Sequence, residues 1–144
     1  MTLDDMPDLI RMGKKFYEES PEYKRFSFNE DKLHTLGHWA ITEPDSICIV
    51  YDKNGIQGMM YGMVHEQYFS LDKSAGELFL FVSQDRRGAL IGKRLVSAFE
   101  AWAHSMNAID IRVGVSAGIT PDRVVGFYKA LGYTSNATML RKEL

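Results

Sequence analysis

Arg86, Arg87, Lys93 and Arg94 place four cationic side chains within nine residues, and Gly88 and Gly92 punctuate the same stretch. They stand where the apolar run Ala75 to Val82 passes through an Arg-Arg-Gly turn into an amphipathic segment, so the turn opens a helix. The first N–H groups of such a helix have no intrahelical partner and carry the positive end of its dipole, a pattern that holds phosphate. Two further side chains can move protons. Glu77 interrupts the apolar run, where partial burial would raise a carboxyl toward the pKa of a useful base; the other reading is an exposed acid at the strand's start. Tyr128 sits on a later helix and, as a phenol of ordinary pKa about 10, can donate a proton or a strong hydrogen bond. It can also pack in the core, as its neighbour Phe127 would. His65 is a weaker base candidate, and His34 and His38, one helical turn apart, lack a third ligand, so no metal is assigned.

The elements that must position these residues follow from the hydrophobic period. Met6, Leu9, Ile10, Gly13, Phe16 and Tyr17 recur at helical steps from about Asp4 to Tyr17, and Ser20-Pro21 ends that segment. Asn29 can cap a second helix running toward Ala40, with Leu33, Leu36 and Trp39 as apolar contacts. Ser46 to Tyr51 and Ile56 to His65 flank the turn Asp52-Lys53-Asn54-Gly55, which predicts an antiparallel hairpin. Ala75 to Val82 is apolar enough for a strand covered on both faces. A helix from about Gly88 to Asn107 and a strand from Ile109 to Val115 then make a right-handed parallel crossover. Pro121 to Leu131 predicts a last helix ending at Gly132, and Tyr133 to Lys142 is left for a terminal strand.

Two of these segments resemble the GNAT superfamily of N-acyltransferases. The run Val82-Ser83-Gln84-Asp85-Arg86-Arg87-Gly88-Ala89-Leu90-Ile91-Gly92-Lys93-Arg94-Leu95 is similar to its acetyl-CoA loop, and Phe127-Tyr128-Lys129-Ala130-Leu131-Gly132-Tyr133 to its Tyr-bearing final helix. The resemblance is close from about Ala75 to Tyr133. It implies one α/β domain over residues 1–144: a mixed, mostly antiparallel central sheet, helices on both faces, a central parallel crossover, and a first strand short or absent. It also implies that acetyl-CoA is the cosubstrate, held by Phe81, Val82, Arg87, Gly88, Ala89, Leu90, Ile91, Gly92 and Lys93. Backbone of Phe81 and Val82 would pair with the pantetheine amides, the N–H groups from Arg87 to Lys93 would ring the pyrophosphate, and Gly88 and Gly92 would let backbone come close. Tyr128 would be the general acid toward the departing sulfur and Glu77 the base for the amine. The expected activity is acetyl transfer to a primary amine on a small molecule, peptide or protein. Leu90 replaces a family glycine and Pro121 a family asparagine, so a non-catalytic acyl-CoA-binding or protein-interaction module on the same fold is the alternative. No Walker loop or dinucleotide fingerprint is present.

Composition narrows the field further. With 144 residues and 45% hydrophobic content, the chain can bury one real core, and a net charge of −2 argues against a nucleic-acid binder. The single cysteine, Cys48, lies in an apolar run and excludes a disulfide framework. No stretch approaches the roughly 20 apolar residues of a membrane span. The expectation is a cytoplasmic protein without membrane contact, and a homodimer is plausible because exposed sheet edges tend to be covered. For the acceptor, Phe16, Tyr17, Tyr23, Phe26, Phe28, Tyr68 and Phe69 can line a pocket or pack helices, and Glu18, Glu19 and Glu22 can attract a cation or simply be solvated.

Overall fold

The computed structural model describes residues 1–143, the side chain of Ala89 excepted. A short 3-10 turn at Leu3–Asp5 leads into α1 (Met6–Glu19), and a second at Tyr23–Arg25 precedes α2 (Glu30–Thr42). Strands β1 (Ser46–Asp52), β2 (Ile56–Glu66) and β3 (Lys73–Val82) follow, then α3 (Ala89–Ser105), β4 (Ala108–Arg112) and α4 (Pro121–Ala130). Asn29 caps α2 as its residue type predicts, its Oδ1 accepting from the Lys32 N–H at 2.8 Å. Asn54 and Gly55, with φ of 59° and 105°, turn the chain from β1 into β2.

The sheet order is β1-β2-β3-β4, antiparallel for the first two pairs and parallel for β3 and β4, which α3 connects. Buried Leu95, Val96 and Phe99 of α3 pack on Met60, Val64 and Ala75, covering one face of the sheet. Met6, Leu9, Met12 and Phe16 of α1, with Ala40 of α2, cover the other through Cys48, Met59, Tyr61 and Phe81. With both faces covered, β2 is buried along nearly its whole length. This is the mixed, mostly antiparallel sheet expected, and among the described residues no strand precedes α1. Burial pushes the Cys48 thiol up to about 11, so it is inert core.

The strands separate where the site must form. In β3, Phe79 pairs with Tyr61 and Glu77 with Gly62, which leaves Leu78 as the extra residue of a bulge. β3 and β4 pair only from Lys73 and Ala108 to Gly76 and Arg112, and beyond that point they diverge. A side-chain clamp holds the paired end: the Ser74 hydroxyl donates to Asp110, while Gln67 Nε2 donates to Ser74 at 2.5 Å.

Two expectations about strands are corrected. β4 ends at Arg112 rather than Val115, because its partner strand turns away at the bulge and Val113 and Val115 have no ladder to join. The terminal strand over Tyr133 to Lys142 does not form. The sheet edge it would extend is already open there, and the tail instead returns to the loop after α1, where Arg141 pairs with Glu22 and Glu143 with Arg25 at 2.7 Å.

The face of β2 beneath α3 has no room for side chains at one point. A Cβ on Gly62 would overlap the Phe99 ring and lie 2.8 Å from the Gly76 carbonyl oxygen, whereas a Cβ on Gly76 meets nothing nearer than 4.0 Å. Gly62→Ala is expected to lower the unfolding free energy by about 2–3 kcal/mol in urea titration, as overpacking of a closed core does. Gly76→Ala is expected to stay within about 1 kcal/mol of wild type.

Candidate active site

The divergence of β3 from residues 113–119 leaves a cleft of about 430 Å³ that runs through the sheet. One wall is Glu77 to Val82 and the other Gly114 to Thr120, with Phe127 and Tyr128 of α4 on one side and Phe16 and Tyr23 on the other. A strand edge without a neighbour has backbone donors and acceptors free, so the β3 wall can pair with an extended amide-bearing chain as a missing strand would.

Glu77 stands one residue beyond the last β3–β4 pair. Its Oε2 accepts the Gly114 N–H at 3.2 Å, bridging the two walls where they begin to part. Burial raises its pKa to about 7, and the Gly114 hydrogen bond opposes that shift without cancelling it. Of the two readings of this residue, a partly buried carboxyl able to hold or release a proton near neutrality is the one the surroundings support.

Tyr128 is 4% exposed, and among the described residues nothing hydrogen-bonds its hydroxyl. Its ring is wedged between Phe127 and Tyr133, each with centroids 5.2 Å away. The Tyr133 hydroxyl donates to Glu100 at 3.1 Å, and Gly132, with φ of 94°, closes α4 so that the Tyr133 N–H reaches the Tyr128 carbonyl at 3.1 Å. Burial foremost, then the charge of Glu77, pushes the phenol pKa well above its ordinary value, so Tyr128 keeps its proton. The aromatic packing is real, and the side chain lines the cleft while its polar end is withdrawn from solvent.

At the other end of β3, a 3-10 turn over Gln84–Arg86 leads to Gly88, the N-cap of α3. Gly88 is extended, with φ of −174°, and a Cβ built on it meets nothing within 4 Å. The fold therefore leaves open space above the helix start, and Leu90 and Ile91 follow in the first turn, whose N–H groups have no intrahelical acceptor. Ala89 is backbone of that turn, its side chain lying outside the described residues. Lys93 is exposed one turn on.

Three sequence readings are altered here. Arg87 lines the cleft, but its guanidinium is committed to Glu19 and to the Val82 carbonyl at 3.0 Å, and its N–H to Gln84 at 3.4 Å. Donors for an anion thus begin at Gly88, and the Val82 carbonyl already carries one hydrogen bond. Gly92 lines the cleft and is buried, and its Cβ position lies 3.2 Å from the Phe127 ring, so a glycine here also lets α3 pack closely on α4. Of the proposed acceptor aromatics only Phe16 and Tyr23 reach the cleft, and Tyr68 and Phe69 are wholly exposed at the far end of β3. Glu19 and Glu22 are paired with arginines.

Periodicity alone did not point to Ser20, whose buried hydroxyl donates to the Ala117 carbonyl at 2.6 Å and accepts the Tyr23 N–H at 3.1 Å. It joins the end of α1 to the opposite wall. Among the described residues no group of three or more His, Cys, Asp or Glu is placed to hold a metal. No helix among them is long and apolar enough to cross a membrane.

The free strand edge, the space before α3 and the unpartnered Tyr128 hydroxyl fit an elongated ligand with amides along its length, an anion at one end and a polarisable atom at the other. Acetyl-CoA has those features. A family model described as an acetyltransferase (GNAT) domain matches residues 43–135. Curated proteins give no match. Among solved structures, a tetramutant of the BH1408 protein from Bacillus halodurans superposes with a TM-score of 0.83 at 19% identity, over 100% of this chain and 97% of that one. An aminoglycoside acetyltransferase, meta-AAC0020, from an uncultured soil metagenomic sample has a TM-score of 0.74 at 21% identity, over 100% and 91%. A Trypanosoma brucei acetyltransferase has 0.76 at 14%, over 100% and 96%. At these identities the likeness is one of fold.

The raised pKa of Glu77 makes stability depend on pH in a defined direction. Between its ordinary value near 4.5 and about 7, the folded protein keeps a proton that the unfolded chain has lost, so stability falls as pH rises through that window and levels above it. Urea unfolding of wild type and Glu77→Gln at pH 5 and pH 8 is expected to show a decline, larger in wild type by about 2 kcal/mol.

Proposed function

The chain belongs to the GNAT acetyltransferase family, and from that premise we propose that it moves an acetyl group from acetyl-CoA to a primary amine by direct attack. The observation that carries this reading is that Glu77 and Tyr128, whose buried hydroxyl has no partner among the described residues, line one cleft along the free edge of β3. Acetyl-CoA supplies, when bound, an acyl thioester already activated toward nitrogen. The N–H groups from Gly88 to Ile91 would hold its pyrophosphate, with Lys93 nearby, and backbone of Leu78 to Val82 would pair with its amides.

An alkylammonium must lose a proton before its nitrogen can attack, and Glu77, poised near neutrality, is suited to take it. As the C–N bond forms and the C–S bond breaks, negative charge passes to sulfur. Tyr128 keeps its proton at all working pH values and so can give that sulfur a hydrogen bond. A phenol with so high a pKa is a hydrogen-bond donor first; complete proton transfer can follow from solvent. Phe16, Phe81, Val124 and Phe127 give the cleft apolar walls beside the reacting groups.

Titration calorimetry with acetyl-CoA is expected to give saturable binding that Gly88→Trp abolishes by filling the space before α3. Tyr128→Phe should retain binding while kcat for thiol release falls about 10²–10⁴-fold. Binding without Tyr128-dependent thiol release from any amine would favour the non-catalytic module instead. The pH profile of kcat/KM is expected to rise to a plateau with an inflection near 7, and Glu77→Gln should remove that inflection.

A further inference from the structure

The cleft is lined differently toward its two ends, and the chemistry of one of them narrows the acceptor. Gly88 and Gly92, with Val124 and Phe127 of α4, line it toward the start of α3. Toward the end of α1, Phe16 packs edge-on to Tyr23 with centroids 5.3 Å apart and against Phe79 at 5.9 Å. Ala117 and Ile119 complete that wall. Among the described residues Glu77 is the one carboxylate lining the cleft, against two guanidiniums, those of Arg87 and Arg123. Neighbouring acids are already neutralised, Glu19 by Arg87 and Glu22 by Arg141 and Arg25.

A polycation entering here would meet a single free carboxylate, with the Arg123 guanidinium on the same walls and Arg87 already paired to Glu19, so each further ammonium would be desolvated without a partner. A single ammonium joined to an apolar body meets the opposite situation. Its charge goes to Glu77, and its body lies on aromatic rings that gain from burying it. Size points the same way: about 430 Å³ is near the low end of small-ligand sites, roughly 300–1,000 Å³, and the thioester arm must share it.

We infer that the acceptor is a small monoamine with an aromatic or comparably bulky apolar body, seated on Phe16, Tyr23 and Phe79 at the α1 end of the cleft. This rests on the acetyl-transfer reading above and goes beyond it in naming the substrate class. It also separates this chain from a fold neighbour described as an aminoglycoside acetyltransferase.

The test is thiol release from acetyl-CoA with 2-phenylethylamine, spermidine and kanamycin as acceptors, alongside acetyl-CoA titration calorimetry. The expected result is a kcat/KM for 2-phenylethylamine at least about tenfold above either polycation. Tyr23→Ala should raise its KM about fivefold or more while the Kd for acetyl-CoA moves less than about twofold, and Tyr23→Phe should restore the KM. Faster turnover of spermidine or kanamycin would overturn the acceptor class and leave acetyl transfer standing. Equal loss of acetyl-CoA binding in Tyr23→Ala would overturn the placement of the acceptor on this wall. Acetyl-CoA binding with no thiol release from any of these or from a wider amine panel would overturn both readings together.

Discussion

Backbone pairing between β3 and β4 stops after Gly76 and Arg112, and nearly everything functional in this chain follows from that interruption. A continuous ladder would satisfy every N–H and C=O on the inner edge of β3 and leave no room between the strands. The bulge at Leu78 prevents it by shifting the register of β3 and increasing its local twist. The price is a row of backbone groups without sheet partners, and such groups are tolerated only where water or a ligand can reach them. The clamp of Ser74, Asp110 and Gln67 confines the opening to one half of the strands. A gap thus becomes a site with a fixed apex, and Glu77 occupies the apex.

The same geometry sets the electrostatics. Glu77 is close enough to Tyr128 for its charge to raise the phenol pKa, and both are withdrawn from solvent. Neither effect needs an unusual residue. A carboxyl placed at the narrow end of a cleft loses hydration while gaining only one hydrogen bond, from Gly114. A tyrosine wedged between Phe127 and Tyr133 keeps its hydroxyl away from water and, among the described residues, away from protein partners. Positive charge also lines the cleft, in Arg87 and Arg123, and that of Arg87 is taken up by Glu19.

Much of this was legible in the residues because the signals were local. Asn54-Gly55 announces its turn, Asn29 its cap, Gly132 the end of α4, and the apolar run before Arg86 a doubly covered strand. Tyr128 and the α3 entry were legible as an ordered pair of motifs. What could not be read was set by distant partners. Val113 and Val115 look like strand because they are apolar, but they pack against the core without joining a ladder, and Val115 lines the cleft. The same limit applies to the tail, whose ion pairs join Arg141 to Glu22, 119 positions away. Arg87 looked like a phosphate ligand because nothing in its neighbourhood reveals Glu19, 68 positions earlier. The packing of Gly92 was hidden for a similar reason, since its neighbour Phe127 comes from another helix.

Ser20 and the Arg87–Glu19 pair fasten the end of α1 to the two walls of the cleft, one link to each. α1 lies against the sheet without contributing a strand to it, so its identity does not enter the register that opens the cleft. That segment is therefore tied to both walls by side-chain contacts alone. Its exposed turns can change in sequence while the strand pairing that opens the cleft is inherited unchanged.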